Sequence, residues 1–343
     1  MSSRRSVWRL IAVGTSVLML ASACSSAATT APTAAPTAAP TAAPTTAKKL
    51  TIGYVEFDPS SVYANQAANE DEKAFKAEGW DVIRMNSGGK QEVASDLMKT
   101  LVSRKVDAIV VSVYAGTQIQ TGLAAANDAG IPVFKNGGGY AGEGEAGAIS
   151  VIIAPLINDI YFEYLNSQPK VELLQLTFTP GEPARLRAEA FNKIADGLPN
   201  VNITKNEFQV PGQVEQSQQF TSAWLSAHPE QADTSYVIWG AWADPVVGAI
   251  AALKQAGRKA WMYTWDLTNP TAAAVREGTL MGSAIWSPPE GAKQMTQMIK
   301  DYMAAKDAGG TWTPVNLEAG GIVVTKDNID QILAENTWVM TGG

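Results

Sequence analysis

Short apolar runs typical of buried β-strands alternate with amphipathic helical segments along almost the whole chain after Lys48. The run from Asp107 to Val113 is nearly all apolar, as expected for a central parallel strand that is covered on both faces. Strands separated by helices form parallel sheets with right-handed crossovers. Because there are too many strands for one comfortable sheet, we predict an α/β protein with two lobes. A barrel is the alternative architecture.

The predicted strands are short and the predicted helices are bounded by Gly, Pro or polar residues. The strands cover residues 50–55, 80–85, 107–113, 131–134, 148–153, 171–177, 201–209, 236–239, 261–265 and 281–286. The helices cover residues 63–78, 91–104, 117–129, 183–197, 213–227, 245–256, 272–277 and 289–306. A Gly-rich break between Gly137 and Gly147 favours a boundary between the lobes after about residue 150.

The first 24 residues are typical of a secretory signal. Three arginines precede the mostly apolar run from Leu10 to Leu20, which is shorter than the ~20 residues of a membrane-spanning helix. Small residues before Cys24, the one cysteine in the chain, resemble a bacterial lipobox and predict a lipid on Cys24. Ala21 departs from the usual Leu, so cleavage by the ordinary signal peptidase is the alternative. A transmembrane anchor fits less well.

Residues 25–47 consist almost entirely of Ala, Ser, Thr and Pro, with AAPT as a recurring unit. Such a segment has no apolar side chains to bury, and it cannot offset the entropy that ordering would cost. We predict a disordered spacer that holds the folded part away from a membrane surface. Its Thr-rich composition is also typical of O-glycosylated stretches.

Charge and residue counts exclude several classes of function. The net charge of −7 without basic clusters argues against nucleic acid, because phosphate binding needs Lys and Arg. One cysteine and one histidine cannot form a Cys/His zinc site, and His228 lies where a predicted helix ends. We therefore expect no metal and no cofactor. There is no phosphate-binding Gly loop after the first strand and no nucleophile elbow. A carboxylate pair leaves a hydrolytic α/β enzyme as a remote alternative.

Several phrases resemble the sugar-binding branch of the type I periplasmic binding proteins, the ribose- and galactose-binding family. They are Thr51–Gly53, Lys105–Val111, Ala124–Val133, Val247–Arg258, Trp265-Asp266 and Ala273–Leu280. Each phrase alone is weak, but their order and spacing over roughly residues 50–305 are fairly specific.

The resemblance implies two Rossmann-like lobes joined by a three-crossover hinge. Lobe one would contain residues 48–150 and 288–318, and lobe two residues 151–287 and 319–343. A small ligand, for which we predict a sugar, would bind in the cleft and be delivered to an ABC permease. The resemblance further implies an exported monomer without catalytic residues, held by Cys24 on the outer face of the cell membrane. Alternatives of the same fold bind a nucleoside, an amino acid or a signalling molecule for a sensor.

Two acidic residues at predicted strand ends are candidate ligand contacts. The resemblance implies that Asp266 accepts hydrogen bonds from sugar hydroxyls. We expect Asn269, before Pro270, to cap the next helix, which leaves Asp266 free. Asp244 is displaced from the family's usual Asn-Asp pair, and before Pro245 it is also a typical helix cap.

The remaining candidates are chosen by position at strand or helix ends. The resemblance places a ligand-binding Arg at the start of the helix after Gly181, where we favour Arg185 over Arg187. Aromatic rings suit the apolar faces of a sugar or nucleoside, and four of the ten Trp residues fall at strand ends. The other candidates are Trp239, Trp242, Trp265, Trp286, Glu56, Phe57, Asp58, Tyr114, Asn136 and Gln213. We expect Trp224 and Trp261 to be core residues instead.

Overall fold

A computed structural model describes residues 49–151 and 155–340, apart from the side chains of residues 155, 156 and 340. The predicted signal, Cys24 and the predicted linker lie outside the described residues. Ile152 and Ile153, at the end of one predicted strand, lie outside them as well.

The first sheet contains six parallel strands. They are β1 (Thr51–Glu56), β2 (Asp81–Asn86), β3 (Ala108–Ser112), β4 (Val133–Gly138), β5 (Gly147–Ser150) and β11 (Val315–Glu318). Their order across the sheet is β11-β5-β4-β3-β1-β2. Every residue of β3 is buried, as its apolar sequence predicts for a strand with helices on both faces.

The second sheet also contains six strands. They are β6 (Val171–Thr177), β7 (Val201–Glu207), β8 (Ser235–Gly240), β9 (Trp261–Trp265), β10 (Leu280–Trp286) and β12 (Gly321–Val324). Their order is β12-β10-β9-β8-β6-β7. The edge strand β12 runs antiparallel to β10, and the other pairs are parallel.

Helices cover both sheets. They are α1 (Val62–Ala77), α2 (Gln91–Ser103), α3 (Gln120–Asp128), α4 (Pro155–Ser167), α5 (Glu182–Ala195), α6 (Gln213–Ala227), α7 (Ala243–Ala256), α8 (Asn269–Glu277), α9 (Pro288–Asp307) and α10 (Ile329–Glu335). Gly257 and Gly278 end α7 and α8 with φ of 62° and 79°, a conformation that favours Gly. In the described part of the chain, no helix combines the length and the apolar character needed to cross a membrane.

The chain passes from one sheet to the other three times: after β5, between β10 and α9, and between β11 and β12. Helix α9 packs against α1 beside the first sheet. The prediction of an α/β fold with two lobes is therefore confirmed. We call the first sheet with its helices lobe one and the second sheet with its helices lobe two.

The structure contains elements that the sequence patterns did not reveal. Strands β11 and β12 have four residues each, which is too short for a clear alternation of apolar and polar residues. Helices α4 and α10 were also missed. Trp224 is buried as expected, but the prediction for Trp261 was wrong: it is 41% exposed at the start of β9, where its ring packs against Tyr164.

A buried carboxylate lies inside lobe one. Asp71 on α1 is completely buried and accepts hydrogen bonds from the Tyr54 hydroxyl, at 3.0 Å, and from the Asn136 amide. Its second oxygen, Oδ1, has no partner. Burial raises the pKa of Asp71 to about 7, against the opposing effect of these two hydrogen bonds.

The raised pKa predicts how stability depends on pH. A carboxyl whose pKa is raised by folding contributes most to stability below its unfolded pKa, and that contribution is lost as pH rises through about 7. We expect Asp71→Asn to raise the melting temperature by about 5 °C at pH 8 and to leave it unchanged near pH 4. Thermal unfolding followed by circular dichroism at both pH values measures this. An equal shift at both would show that the charge of Asp71 is not the cause.

Candidate functional site

A cavity lies between the two lobes, at the carboxyl ends of the strands of both sheets. Lobe one contributes Phe57, Ser112, Val113, Asn136 and Gly137 from the ends of β1, β3 and β4. Lobe two contributes Phe178, Trp242, Asp266 and Trp286 from the ends of β6, β8, β9 and β10. The volume open to the centres of water molecules is about 70 Å³, several times the roughly 10–15 Å³ that one ordered water needs.

Arg187 on α5 is the cation of the cavity wall, and it is 3% exposed. It donates hydrogen bonds to the Ala241 carbonyl at 3.0 Å and to the Val151 carbonyl, beside the first crossover, at 3.3 Å. Its guanidinium lies over the Trp265 ring, 5.1 Å from the centroid. Burial lowers its pKa, an effect that the charge of Asp266 opposes. Its Nε is buried and has no hydrogen-bond partner.

Asp266 is the acidic side chain of the same wall. Its backbone has a φ of 65°, in the left-handed region that Asp tolerates better than most residues. The residue is 5% exposed, and its Oδ1 has no hydrogen-bond partner. Burial raises its pKa to about 7, although the charge of Arg187 acts in the opposite direction. A ligand hydroxyl that donated to Oδ1 would satisfy this atom.

Aromatic rings form two further parts of the wall. Phe178 lies 5.8 Å from Phe57 and 6.0 Å from Trp242, measured between ring centroids, so these three rings form a continuous surface across both lobes. Tyr63 and Trp286 form a second pair at 5.8 Å. Rings of this kind pack against the C–H faces of a ligand.

Asn136 presents its amide oxygen as an acceptor. Its Nδ2 donates to Asp71, which fixes the amide orientation, and its Oδ1 is buried without a partner. Asp71 does not line the cavity, and it acts as a positioning residue for Asn136. The neighbouring Val113 has a φ of 74°, which is strained for a β-branched residue and is typical of functional sites.

Polar contacts join the lobes beside the cavity. Asp244 of lobe two accepts hydrogen bonds from the Val62 backbone N–H of lobe one, at 3.3 Å, and from Trp242 Nε1, at 2.9 Å. Gln213 of lobe two donates to the Ser60 carbonyl of lobe one at 2.9 Å. Burial raises the pKa of Asp244 to about 6. These contacts hold the two walls of the cavity together.

A second set of contacts between the lobes is ionic. Lys135 on β4 is 2% exposed and lies between two carboxylates, 3.4 Å from Glu145 of lobe one and 3.1 Å from Glu182 of lobe two. Glu182 also accepts a hydrogen bond from the Gly139 backbone N–H at 2.8 Å. We call these three side chains the Lys135 cluster.

The structure brings five of the predicted residues to the cavity wall: Phe57, Asn136, Trp242, Asp266 and Trp286. Asp244 and Gln213 lie next to it, in the contacts between the lobes. Asp244 does not cap its own helix, and its carboxylate accepts from the first N–H of α1 instead. Thr268, rather than Asn269, is the cap of α8.

The other predicted residues do not line the cavity. Arg185 is partly exposed and pairs with Glu189 on the surface, because it lies on the outer face of α5. Trp239 and Trp265 are fully buried and pack against each other at 5.3 Å. Three lobe-one residues have structural partners: Glu56 pairs with Arg84, Asp58 accepts from the Ser60 N–H, and the Tyr114 hydroxyl bonds Ser87.

Sequence reasoning gave too little weight to Arg187 and missed Tyr63 and Phe178. Tyr63 donates its hydroxyl proton to the Trp286 carbonyl across the lobes, a contact with no signal in the sequence. Phe178 directly follows β6, so the strand-end rule would have included it. No group of three or more potential metal ligands occurs among the described residues.

Two α/β lobes that meet over a buried cavity with paired charges and aromatic walls define a class of two-lobed ligand-binding proteins. The sequence matches the family model described as periplasmic binding protein domain over residues 52–307. The chain belongs to this family, and its fold is that of the type I periplasmic binding proteins. Comparison with curated protein sequences gave no match.

Solved structures share the fold. An ABC sugar transporter subunit from Rhodobacter sphaeroides is 21% identical, with a TM-score of 0.70 over 81% of this chain and 99% of its own. A solute-binding protein from Agrobacterium vitis with bound allitol is 21% identical, with a TM-score of 0.73 over 84% and 99%. The arabinose transporter component from Shewanella sp. is 18% identical, with a TM-score of 0.70 over 83% and 95%. At these identities the similarity establishes the fold alone.

Proposed function

We propose that this chain is an extracytoplasmic solute-binding lipoprotein that captures a sugar between its lobes and delivers it to an ABC importer. The observation that carries the proposal is that three residues lining the cavity each have a buried side-chain atom without a hydrogen-bond partner. Asn136 Oδ1 of lobe one, together with Arg187 Nε and Asp266 Oδ1 of lobe two, offers two acceptors and one donor. Such atoms are costly to bury unless a ligand satisfies them.

Both lobes supply these atoms, which gives a mechanism for closure. A ligand that bonds Asn136 in lobe one and Arg187 or Asp266 in lobe two stabilises only the form in which the lobes touch. The contacts of Asp244 and Gln213 with lobe one form in that same state. The closed surface would then dock on the permease.

The names of the similar structures support transport and carbohydrate as the ligand class. They describe ABC transporter components, with bound allitol or arabinofuranose in two cases. Anchoring through a lipid on Cys24, beyond the predicted linker, would keep the lobes near the permease. Asp266 is the one carboxylate among the described residues of the cavity wall, whereas glycoside hydrolysis ordinarily uses two. This favours binding over hydrolysis.

A thermal-shift screen tests the proposal. The full chain, purified in detergent, is heated with separate sugars, polyols, nucleosides and amino acids. A ligand at a hundred times its dissociation constant adds ~2.7 kcal/mol to stability, so we expect a sugar or polyol to raise the melting temperature by roughly 5 °C or more. A shift with nucleosides or amino acids alone would move the function to another ligand class. No shift with any carbohydrate would refute sugar capture.

A further inference from the structure

Two helices begin at the cavity, one in each lobe. Helix α1 of lobe one follows Ser61, and α5 of lobe two follows Gly181. Both of these residues line the cavity, together with Tyr63 of α1 and Ala184 of α5. Gly181 has no side chain, and the Ser61 side chain makes no capping hydrogen bond. Because the first N–H groups of a helix have no partner inside the helix, these two helix starts need acceptors from elsewhere.

For each helix, the acceptor belongs to the opposite lobe. The first N–H of α1, from Val62, donates to the Asp244 carboxylate of lobe two at 3.3 Å. The first N–H of α5, from Glu182, donates to the Val113 carbonyl of lobe one at 3.1 Å. The two lobes therefore cap each other's helices, and both bonds exist only while the lobes touch.

The unusual backbone of Val113 is part of this arrangement. Its φ of 74° lies in the left-handed region, which is strained for a β-branched residue. The Val113 N–H donates to the Asn136 carbonyl at 3.0 Å. The Tyr114 N–H donates to the Ser112 carbonyl at 2.9 Å, which closes the turn around Val113. Both bonds lie within lobe one, so lobe one itself holds the Val113 carbonyl in place for Glu182. Strain that the surrounding structure maintains in this way is typical of functional sites.

The Asp244 carboxylate is held by its own lobe in the same way. Its Oδ2, the atom that accepts from Val62, also accepts from Trp242 Nε1 at 2.9 Å and from Gln213 Nε2 at 3.5 Å. Trp242 and Gln213 both belong to lobe two, so these two bonds do not depend on lobe one. A carboxylate at the N-terminus of a helix is also favoured by the helix dipole. Each lobe thus presents a fixed acceptor to a helix start of the other.

We propose that closure completes the starts of both helices, with Asp244 and Val113 as the residues that position α1 and α5 in the closed form. This matters for the ligand because α1 carries Tyr63 and α5 carries Arg187, and both line the cavity. In the open form, neither helix start has its acceptor from the opposite lobe. The inference rests on the proposed function and links ligand capture to the order of these two helices.

Proline at position 62 tests the cap of α1. Proline suits the first position of a helix, and Ser61 has the extended backbone that the residue before a proline prefers. Val62→Pro therefore removes the N–H and spares the helix. Val62→Ala also loses the valine side chain but keeps the N–H. We expect Val62→Pro to bind the sugar identified by thermal shift at least tenfold more weakly than Val62→Ala does, because closure then buries Asp244 without this donor. Tenfold corresponds to about 1.4 kcal/mol, and calorimetric titration measures it.

The same comparison in an Asp244→Ala background separates this contact from a general effect of proline. Asp244 also holds Trp242, so its removal alone does not isolate the bond between the lobes. Without the Asp244 carboxylate, the affinities of the two position-62 variants should differ less than twofold. Circular dichroism establishes that all variants fold. A tenfold effect of proline that persists without Asp244, or no effect of proline when Asp244 is present, would overturn the cap of α1.

Hydrogen exchange at the two capped amides gives a readout for both helices. NMR of the full chain in detergent follows the Val62 and Glu182 N–H groups with and without the same sugar. We expect the sugar to slow exchange at both positions at least tenfold, because the acceptor of each N–H lies in the opposite lobe. Equal exchange rates with and without a bound sugar would overturn the proposal for the helix concerned.

These results are distinct from failure of the proposed function. If a sugar binds but neither amide is protected, the capping inference is overturned while sugar capture stands. If no carbohydrate binds, sugar capture is refuted, and the nucleoside or amino acid that raises the melting temperature is used for the exchange measurement instead. If no compound in the screen binds, both are overturned.

Discussion

Replacement of Arg187 by Met is expected to weaken ligand binding at least 100-fold. The substitution keeps a long side chain but removes the charge and the donors to the Ala241 and Val151 carbonyls. It also leaves Asp266 without the nearby positive charge that opposes the effect of burial. Loss of a hydrogen bond to a charged group typically costs about 1.5–3 kcal/mol, and 100-fold corresponds to about 2.7 kcal/mol. Calorimetry with the sugar identified by thermal shift measures the loss.

Arg185→Met is the matched control, two residues away on the same helix. Arg185 pairs with the exposed Glu189, and such surface pairs contribute little. The affinity of the Arg185→Met variant for the ligand should stay within twofold of that of the unaltered chain. Arg187→Lys keeps the charge but loses the fork of donors, so we expect an intermediate loss and a folded protein. Binding within threefold for both Arg187 variants would remove Arg187 from the site.

Replacement of Asp266 by Asn is expected to change stability and affinity in opposite directions. Asn tolerates the φ of 65°, so the backbone conformation is kept. The pKa of about 7 means that the stability contribution of Asp266 is complete below its unfolded pKa and lost as pH rises through 7. At pH 8 the neutral amide should therefore increase the free energy of unfolding of the ligand-free chain by on the order of 2–4 kcal/mol. The melting temperature should rise by several degrees.

The same substitution should weaken ligand binding about 30-fold, because the charged acceptor for ligand hydroxyls is lost. Asp71→Asn is the control: it removes a carboxylate with the same raised pKa that does not line the cavity. We expect it to stabilise the chain with less than a fivefold loss of affinity. Melting curves and titrations at pH 8 give both quantities. Loss of stability in Asp266→Asn would show that its charge is favourable in the folded state.

The fold could be predicted from the sequence because it is determined mainly by patterns within short segments of the chain. Runs such as Ala108–Ser112 must be covered on both faces, and the helices between strands dictate parallel pairing. The short strands β11 and β12 depend on partners far along the chain, so no local pattern reveals them.

To predict which residues line the cavity, one must know how deeply each side chain is buried as well as whether it lies at a strand end. Phe57, Asn136 and Asp266 line the cavity because side chains directly after parallel strands meet at one edge of a sheet, which is the rule that the sequence prediction used. Trp239 and Trp265 satisfy the same rule but lie one layer deeper, under Arg187, which only the packing of α5 on the sheet reveals.

The sequence did contain a pattern that distinguishes Arg187 from Arg185. The buried face of α5 includes Ala184, Arg187, Ala188 and Phe191, at the spacing of an amphipathic helix. Arg187 falls on this apolar stripe and Arg185 does not. A cation on an apolar stripe is costly unless it has a function or buried partners, which would have favoured Arg187.

The Lys135 cluster affects the lifetime that we expect for the closed form. If the lobes separate as proposed, Glu145 would stay beside Lys135 in lobe one, and only Glu182 would move away with lobe two. On reclosing, Glu182 must give up its water to approach an ion pair that is already neutral, so the net gain is small. We expect the cluster to align the lobes without locking them. The residence time of the ligand would then be set by its own contacts with the two lobes. On opening, Lys135 would keep its ion pair with Glu145, so release would not leave this lysine unpaired.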